Sequence, residues 1–252
     1  MEMNTLLKYK VAVITGSSQG IGAGIAKAFA ENGAKVIINY SKNEAKATET
    51  VDEITSLGGT AIAVKADISK PADVKKLFAD TVNAFGKLDI LVNNTGILQF
   101  ETLEAITAEN LHAQINTNLI GTILATQQAA ALMHTDGGSI INISATTSIN
   151  PLPGTLVFSA TKAAIDNVTK VLAKELGPKN IRINTIAPGM TATEGSNEKG
   201  IIGSDFENQT RSITPLGRIA APQDIARVAV FLASEDSAWV TGERIQVSGG
   251  QQ

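Results

Sequence analysis

Val11-Ala12-Val13-Ile14-Thr15-Gly16-Ser17-Ser18-Gln19-Gly20-Ile21-Gly22 is the stretch whose reading decides the fold. A short apolar run enters a glycine-rich turn. The turn opens into residues 21–29, where Ile21, Ile25 and Phe29 recur every four positions and share one helical face. A buried parallel strand that feeds a helix through such a turn makes a seat for a pyrophosphate. The first amides of the helix point at the anion, and the helix dipole favours negative charge there. Gly16, Gly20 and Gly22 let the backbone turn tightly and approach a ligand with no Cβ in the way. A glycine triplet by itself also suits an ordinary turn; the strand before it and the helix after it are what point to a dinucleotide.

The same rhythm runs outward from this stretch. After a lead-in at residues 1–9, the sequence predicts strands at 10–15, 36–39, 61–64, 88–92, 139–144, 181–186 and 244–247. Between them it predicts helices at 20–32, 45–57, 71–85, over a long region 103–133, and at 155–176 and 222–233. Pro71 suits the first turn of its helix, and Val74, Leu77, Phe78, Val82 and Phe85 form the inner face. Residues 191–213 are polar and glycine-bearing with no clean period, which predicts a loop carrying short helices. Seven strands alternating with helices call for an α/β architecture: a doubly wound parallel sheet with right-handed crossovers and helices on both faces. No linker composition or longer repeat divides the chain, so residues 1–252 are expected to form one domain.

Composition narrows the function. Apolar residues make up 43% of the chain, enough for a large core. The net charge is −3 with both signs interspersed, which argues against a nucleic-acid partner. There are no cysteines, and His112 and His134 are too few for a histidine-rich cluster, so no metal site is expected. No apolar run approaches the ~18 residues that span a bilayer, and the N-terminus lacks a signal-peptide core. A soluble cytoplasmic protein without a membrane partner is the expectation.

Further along, several motifs fall at the ends of the expected strands. Thr15-Gly16-xxx-Gly20-Ile21-Gly22, then Asn93-Asn94-Thr95-Gly96, Asn116-Thr117-Asn118-Leu119 and Pro188-Gly189 follow in order. Together they resemble the short-chain dehydrogenase/reductase family over about residues 8–250, with a 3-oxoacyl-reductase-like pattern. The resemblance implies a Rossmann fold, a nicotinamide cofactor, a small-molecule carbonyl or alcohol substrate, and a homotetramer. It implies cofactor contacts from Gly16, Ser18, Gln19, Gly20 and Ile21; from Asp67 and Ile68 around the adenine; from Asn94, Thr95 and Gly96 at the ribose; and from Pro188, Gly189, Met190 and Thr191. An acid at the end of the second strand would bond the ribose 2′-hydroxyl and favour NAD(H). The resemblance puts Tyr40 there, followed by Ser41 and Lys42, whose hydroxyl and ammonium suit a 2′-phosphate. NADP(H) is therefore expected ahead of NAD(H).

The departure lies at the chemistry. The family places a tyrosine four residues before a lysine, and a serine thirteen before the tyrosine. Lys162 is present, but Phe158 and Ala145 stand at the other two positions. The tyrosine exchanges a proton with the substrate oxygen, the lysine lowers its pKa, and the serine holds the substrate oxygen. Loss of a general acid costs about 10²–10⁴-fold in rate, and loss of an oxyanion donor about 10²–10³-fold, with the two effects not additive. Three readings follow: a disabled reductase, a natural NADP(H)-binding sensor or regulatory protein, or an enzyme with rerouted chemistry. Under the last, Thr146, Thr147, Ser148, Ser159 or water would substitute, while Ser144 would face the wrong side of its strand. Lys162 keeps a role at the nicotinamide ribose hydroxyls, and Asn118 at a water that passes protons toward it. The substrate pocket is expected beneath the loop at about 190–213, with Leu152 and Pro153 on its wall. Ile120, Ile123 and Leu124 on one helix, and Ile165, Val168, Val171 and Leu172 on another, are the expected subunit contacts.

Overall fold

The computed structural model describes residues 5–133 and 137–251. His134 lies outside the described residues. The strands are β1 (Val11–Ile14), β2 (Lys35–Tyr40), β3 (Thr60–Lys65), β4 (Ile90–Asn93), β5 (Gly138–Ile143), β6 (Ile181–Pro188) and β7 (Arg244–Val247). They form one seven-stranded sheet in the order β3-β2-β1-β4-β5-β6-β7, every pair parallel. This is an α/β Rossmann-like fold. The strand order reverses between β1 and β4, and the crevice outside their carboxyl ends is the natural ligand seat.

Side-chain alternation along the strands divides the core in two. Ala12, Ile14, Ile38 and Val92 face α1 (Gly20–Glu31) and α9 (Pro222–Ala233). Val13, Ile37, Leu91 and Ile140 face α3 (Pro71–Phe85), α5 (Gly121–Leu132) and the end of α6 (Leu156–Leu176). Gly24 lets α1 approach α9, because a Cβ there would lie 2.7 Å from Pro222 Cβ.

A buried polar ladder crosses the second face. Asn93 on β4 donates to Thr126 on α5 and to Asn142 on β5, both at 2.9 Å. Asn142 donates to Thr169 on α6 at 2.9 Å, and Thr169 shares a 2.8 Å bond with Thr185 on β6.

The long region 103–133 is helical as expected, with a change of winding inside it. A 3-10 turn at Leu103–Ala105 is followed by α4 (Ala108–Ile115), restarted by a Thr107 hydroxyl cap, and by a π turn at Asn116–Ile120 that leads into α5. The expected subunit contacts divide. Ile120, Ile123 and Val171 are exposed, whereas Ile165 is buried, and Leu124 and Leu172 pack on the chain's own core. Sheet packing takes the inner part of each helix face, so only the outer stripe remains for a partner.

Residues 191–213 carry α7 (Glu194–Glu198) and α8 (Asp205–Ile213), each started by a hydroxyl cap, Thr193 and Ser204. Between β2 and β3 lies α2 (Glu44–Ser56). Among the described residues no helix is long and apolar enough to cross a membrane, and no His/Asp/Glu group has a metal-binding arrangement.

Candidate active site

The glycine loop sits at the strand-order reversal and is pinned from three sides. Gly16 and Gly20 have φ of 60° and 63°, values that favour glycine. The Gly16 amide donates to Asn39 Oδ1 at 3.1 Å, and the Ser17 amide to Asn39 O at 2.9 Å. The Ser17 hydroxyl donates back to Ile14 O. Asn94 Nδ2 donates to Thr15 O and Gly16 O, each at 2.9 Å, while Thr15 Oγ1 accepts from the Asn94 and Thr95 amides. The Asn94 side chain thus staples the loops after β1 and β4 together. A Cβ on Gly22 would lie 2.5 Å from Asn94 Nδ2, and one on Gly16 would lie 2.7 Å from Thr95 Oγ1.

This cradle fits a dinucleotide. Gln19 begins α1 without a side-chain cap, which leaves the first-turn amides to other acceptors. One of them, Gly20 N, donates to Glu194 Oε2 on α7 at 2.9 Å. Thr95 Oγ1 is buried with no partner, beside Gly16. Ser18 and Ile21 are half-buried at the cleft.

Around the rim the expected residues take different attitudes. Tyr40 is buried at the end of β2 in the core, whereas Ser41 and Lys42 are exposed beyond it. Ile68 turns inward, and Gly121 approaches it so closely that a Cβ would lie 2.8 Å from Ile68 O. Asp67 accepts from the Ser69 amide and hydroxyl. Burial opposes its charge, but the Ser69 bonds and the Lys70 ammonium outweigh that and hold its carboxyl below the usual range. Pro188 closes β6, and the Gly189 amide donates to Val247 O. Met190 and Thr191 run beside Ala220: Met190 O accepts the Ala220 amide, and Thr191 Oγ1 donates to Gly189 O.

Lys162 lies inside the molecule with 5% of its surface exposed. Its Nζ donates to Ile143 O at 2.7 Å and lies 5.4 Å from the centroid of the Phe158 ring. Gly96 is close on another side, where a Cβ would be 3.3 Å from Nζ and 3.6 Å from Asn118 Oδ1. Burial pushes the ammonium down to about 8, with Asp166 opposing the fall. Asn118, in the π turn, accepts the Ile97 amide at 2.8 Å and donates to Ile97 O and Thr161 Oγ1. Phe158 and Ala145 are half-buried beside this cluster.

Neither tyrosine of the chain lies beside Lys162. Tyr40 is in the core, and Tyr9 is 72% exposed ahead of the amino end of β1. Most of the alternative hydroxyls are engaged. Ser144 donates to Lys162 O, Ser148 to Asp166, and Ser159 shares a bond with Thr155. Thr147 Oγ1 is buried without a partner.

Sequence reasoning missed a set of positioning groups. Arg244 on β7 pairs with Asp166 on α6 at 2.9 Å and donates to Ala145 O and Ser148 Oγ. It ties the turn that carries Ala145 to the last strand. Asn39 and Glu194, which bind the glycine loop, and Lys46, whose Nζ donates to Gln19 Oε1 at 2.8 Å, were also missed. Their partners lie up to 174 residues away in sequence, and no local pattern marks them.

Comparison with known proteins agrees with this geometry. A family model described as enoyl-(acyl carrier protein) reductase matches residues 16–252. An uncharacterized oxidoreductase of Methylorubrum extorquens is 47% identical over 244 residues, 97% of this chain and 98% of that protein. Versicolorin reductase 1 of Aspergillus parasiticus is 37% identical over 259 residues and 99% of each chain. Among solved structures, a short chain dehydrogenase from Burkholderia cenocepacia in complex with NADP superposes with a TM-score of 0.91. It is 33% identical over 98% of this chain and 99% of that one.

Proposed function

The chain belongs to the short-chain dehydrogenase/reductase family, and from that premise we propose that it is an NADP(H)-dependent oxidoreductase of a carbonyl/alcohol pair whose turnover is disabled at Phe158 and Ala145. The observation that carries this reading is the buried Lys162 ammonium facing a bare phenyl ring at 5.4 Å, within an otherwise complete cleft.

The bound nicotinamide supplies or accepts the hydride. The chain's own residues bind and orient it. The glycine loop and the α1 amides take the pyrophosphate; Thr95, with Asn94 and Gly96, lines the ribose; Asp67 and Ile68 flank the adenine. Ser41 and Lys42 favour the 2′-phosphate over NAD(H), and Pro188 to Thr191 hold the nicotinamide end. Lys162 spends one proton on Ile143 O and keeps two for the nicotinamide ribose hydroxyls. Asn118, fixed by Ile97, holds a water toward Lys162. At 158 the ring fills the tyrosine's place but has no proton to give, and at 145 the methyl group cannot hold the substrate oxygen. The substrate is a ketone or 3-oxoacyl-type carbonyl, received beneath residues 190–213, and the relatives named as reductases support that direction. Residues 1–252 act as one domain in a cytoplasmic homotetramer.

The test compares NADPH oxidation by this chain and by the double reversion Ala145→Ser, Phe158→Tyr across a panel of carbonyls. The reverted chain is expected to be faster by at least about 10²-fold. Equal rates would refute the reading. The same bare ring at 158 and methyl group at 145, beside the glycine cradle, also favour a second reading, an NADP(H)-binding sensor. A sensor would bind NADPH and gain nothing on reversion.

A further inference from the structure

Ser41 and Lys42, the two residues after β2, stand where a 2′-phosphate is expected to be read, and both are exposed. Lys46, one helical turn further on, is built in. Its Nζ donates to Gln19 Oε1 of the glycine loop at 2.8 Å and pairs with Glu198 Oε1 at 3.1 Å. The Lys46 side chain is mostly covered, whereas the Glu198 side chain is largely exposed. The ammonium therefore belongs to the cleft wall, and its acidic partner comes from the loop above.

That partner has a companion. Glu194, four residues earlier on α7, places Oε2 2.9 Å from Gly20 N, the amide at the start of α1. Carboxylates four apart on a helix lie on one face, about 5–6 Å apart at their Cβ atoms. α7 thus presents two anions to two donors that line the dinucleotide cleft: a helix-start amide, which suits a pyrophosphate, and an ammonium beside the glycine loop. Lys199, next on the chain, donates to Leu98 O beyond β4, so the segment is fastened at a third point. Thr193 seats the segment's start, its Cβ 3.4 Å from where a Cβ on Gly20 would be.

We propose that Lys46 joins Ser41 and Lys42 in selecting a 2′-phosphorylated dinucleotide, and that Glu198 and Glu194 on α7 compete with the 2′-phosphate and the pyrophosphate for Lys46 and the Gly20 amide. Cofactor binding is then an exchange of two carboxylates for two phosphate groups. The loop that closes over the substrate reads the phosphates through the same four-residue interval. This rests on the dinucleotide reading of the cleft and goes beyond it in naming a further selecting cation and its competitors.

The test is fluorescence titration of the full-length protein with NADPH and with NADH, without turnover. Lys46→Met is expected to weaken NADPH binding about tenfold and leave NADH within about twofold, since only NADPH carries the extra phosphate. Lys46→Arg should retain most of the NADPH affinity. Glu198→Gln should tighten NADPH alone, and Glu194→Gln should tighten both cofactors, each several-fold. Thermal unfolding of each variant confirms that it is folded. If Lys46→Met weakens both cofactors equally or neither, or if the two glutamine variants bind NADPH as the parent does, the proposal is overturned while the dinucleotide reading stands. If the parent and every variant fail to bind either cofactor, the dinucleotide reading falls and takes the proposal with it.

Discussion

Replacing Lys162 with methionine should change how stability depends on pH. Burial lowers the ammonium from 10.5 to about 8, with Asp166 opposing. Below pH 8 the lysine is charged in both folded and unfolded chains, and the folded state bears the full cost of burying it. Between pH 8 and 10.5 the unfolded chain still holds the proton and the folded chain has released it, so folding stability rises with pH. The fall in pKa corresponds to about 3 kcal/mol across that window. Methionine removes the titration but orphans Ile143 O, at a pH-independent cost of about 1–3 kcal/mol. Near neutral pH the two contributions largely offset, and the variants should be of similar stability. By pH 10.5 the parent should lead Lys162→Met by about 3 kcal/mol more than it does at pH 7. Urea unfolding of both proteins at half-unit pH intervals gives the difference directly. Curves that stay parallel from pH 7 to 10.5 would refute the argument, because they would mean that the ammonium is as well solvated folded as unfolded.

Other perturbations bear on separate parts of the molecule. Arg244→Met leaves Asp166 buried without its cation and should cost about 3–5 kcal/mol in chemical denaturation, whereas a loss under 1 kcal/mol would show the pair to be dispensable. Gly22→Ala drives a Cβ into Asn94 Nδ2 and Gly16 O, and should abolish detectable NADPH binding in a fluorescence titration of a chain that still unfolds cooperatively. Ile123→Glu combined with Val171→Glu charges the outer stripe of two helices and should convert the proposed tetramer to smaller species by light scattering. An unchanged mass would place the subunit contact elsewhere.

How much of this was legible beforehand depended on the range of the interaction. Strands buried on both faces announce themselves as apolar runs, and Pro71 and Gly86 punctuate α3, so the sheet and most helices could be read to within a few residues. The π turn at Asn116–Ile120 could not. It is composed of residues that would serve equally well in an α-helix, and its bonds from Asn118 to Ile97 join positions that no helical period relates. Phe158 and Ala145 were visible because the family fixes their spacing from Lys162. The surroundings of Lys162 were not, since Ile143 O, Gly96 and the Asp166–Arg244 pair come from distant segments. No sequence pattern marks Lys46, and only the folded chain sets it against Gln19.

The hydroxyl and amide ladder from Asn93 to Thr185 has a consequence for how the sheet chooses its alignment. Strands that are oily on both sides offer little to distinguish one sliding position from the next. Shifting β5 by a single residue against β4 would keep much of its grease covered, yet would strand Asn142 away from both Asn93 and Thr169. The half of the sheet beneath the chemistry is therefore indexed by five polar side chains, which act as a keyway for strands that would otherwise slip.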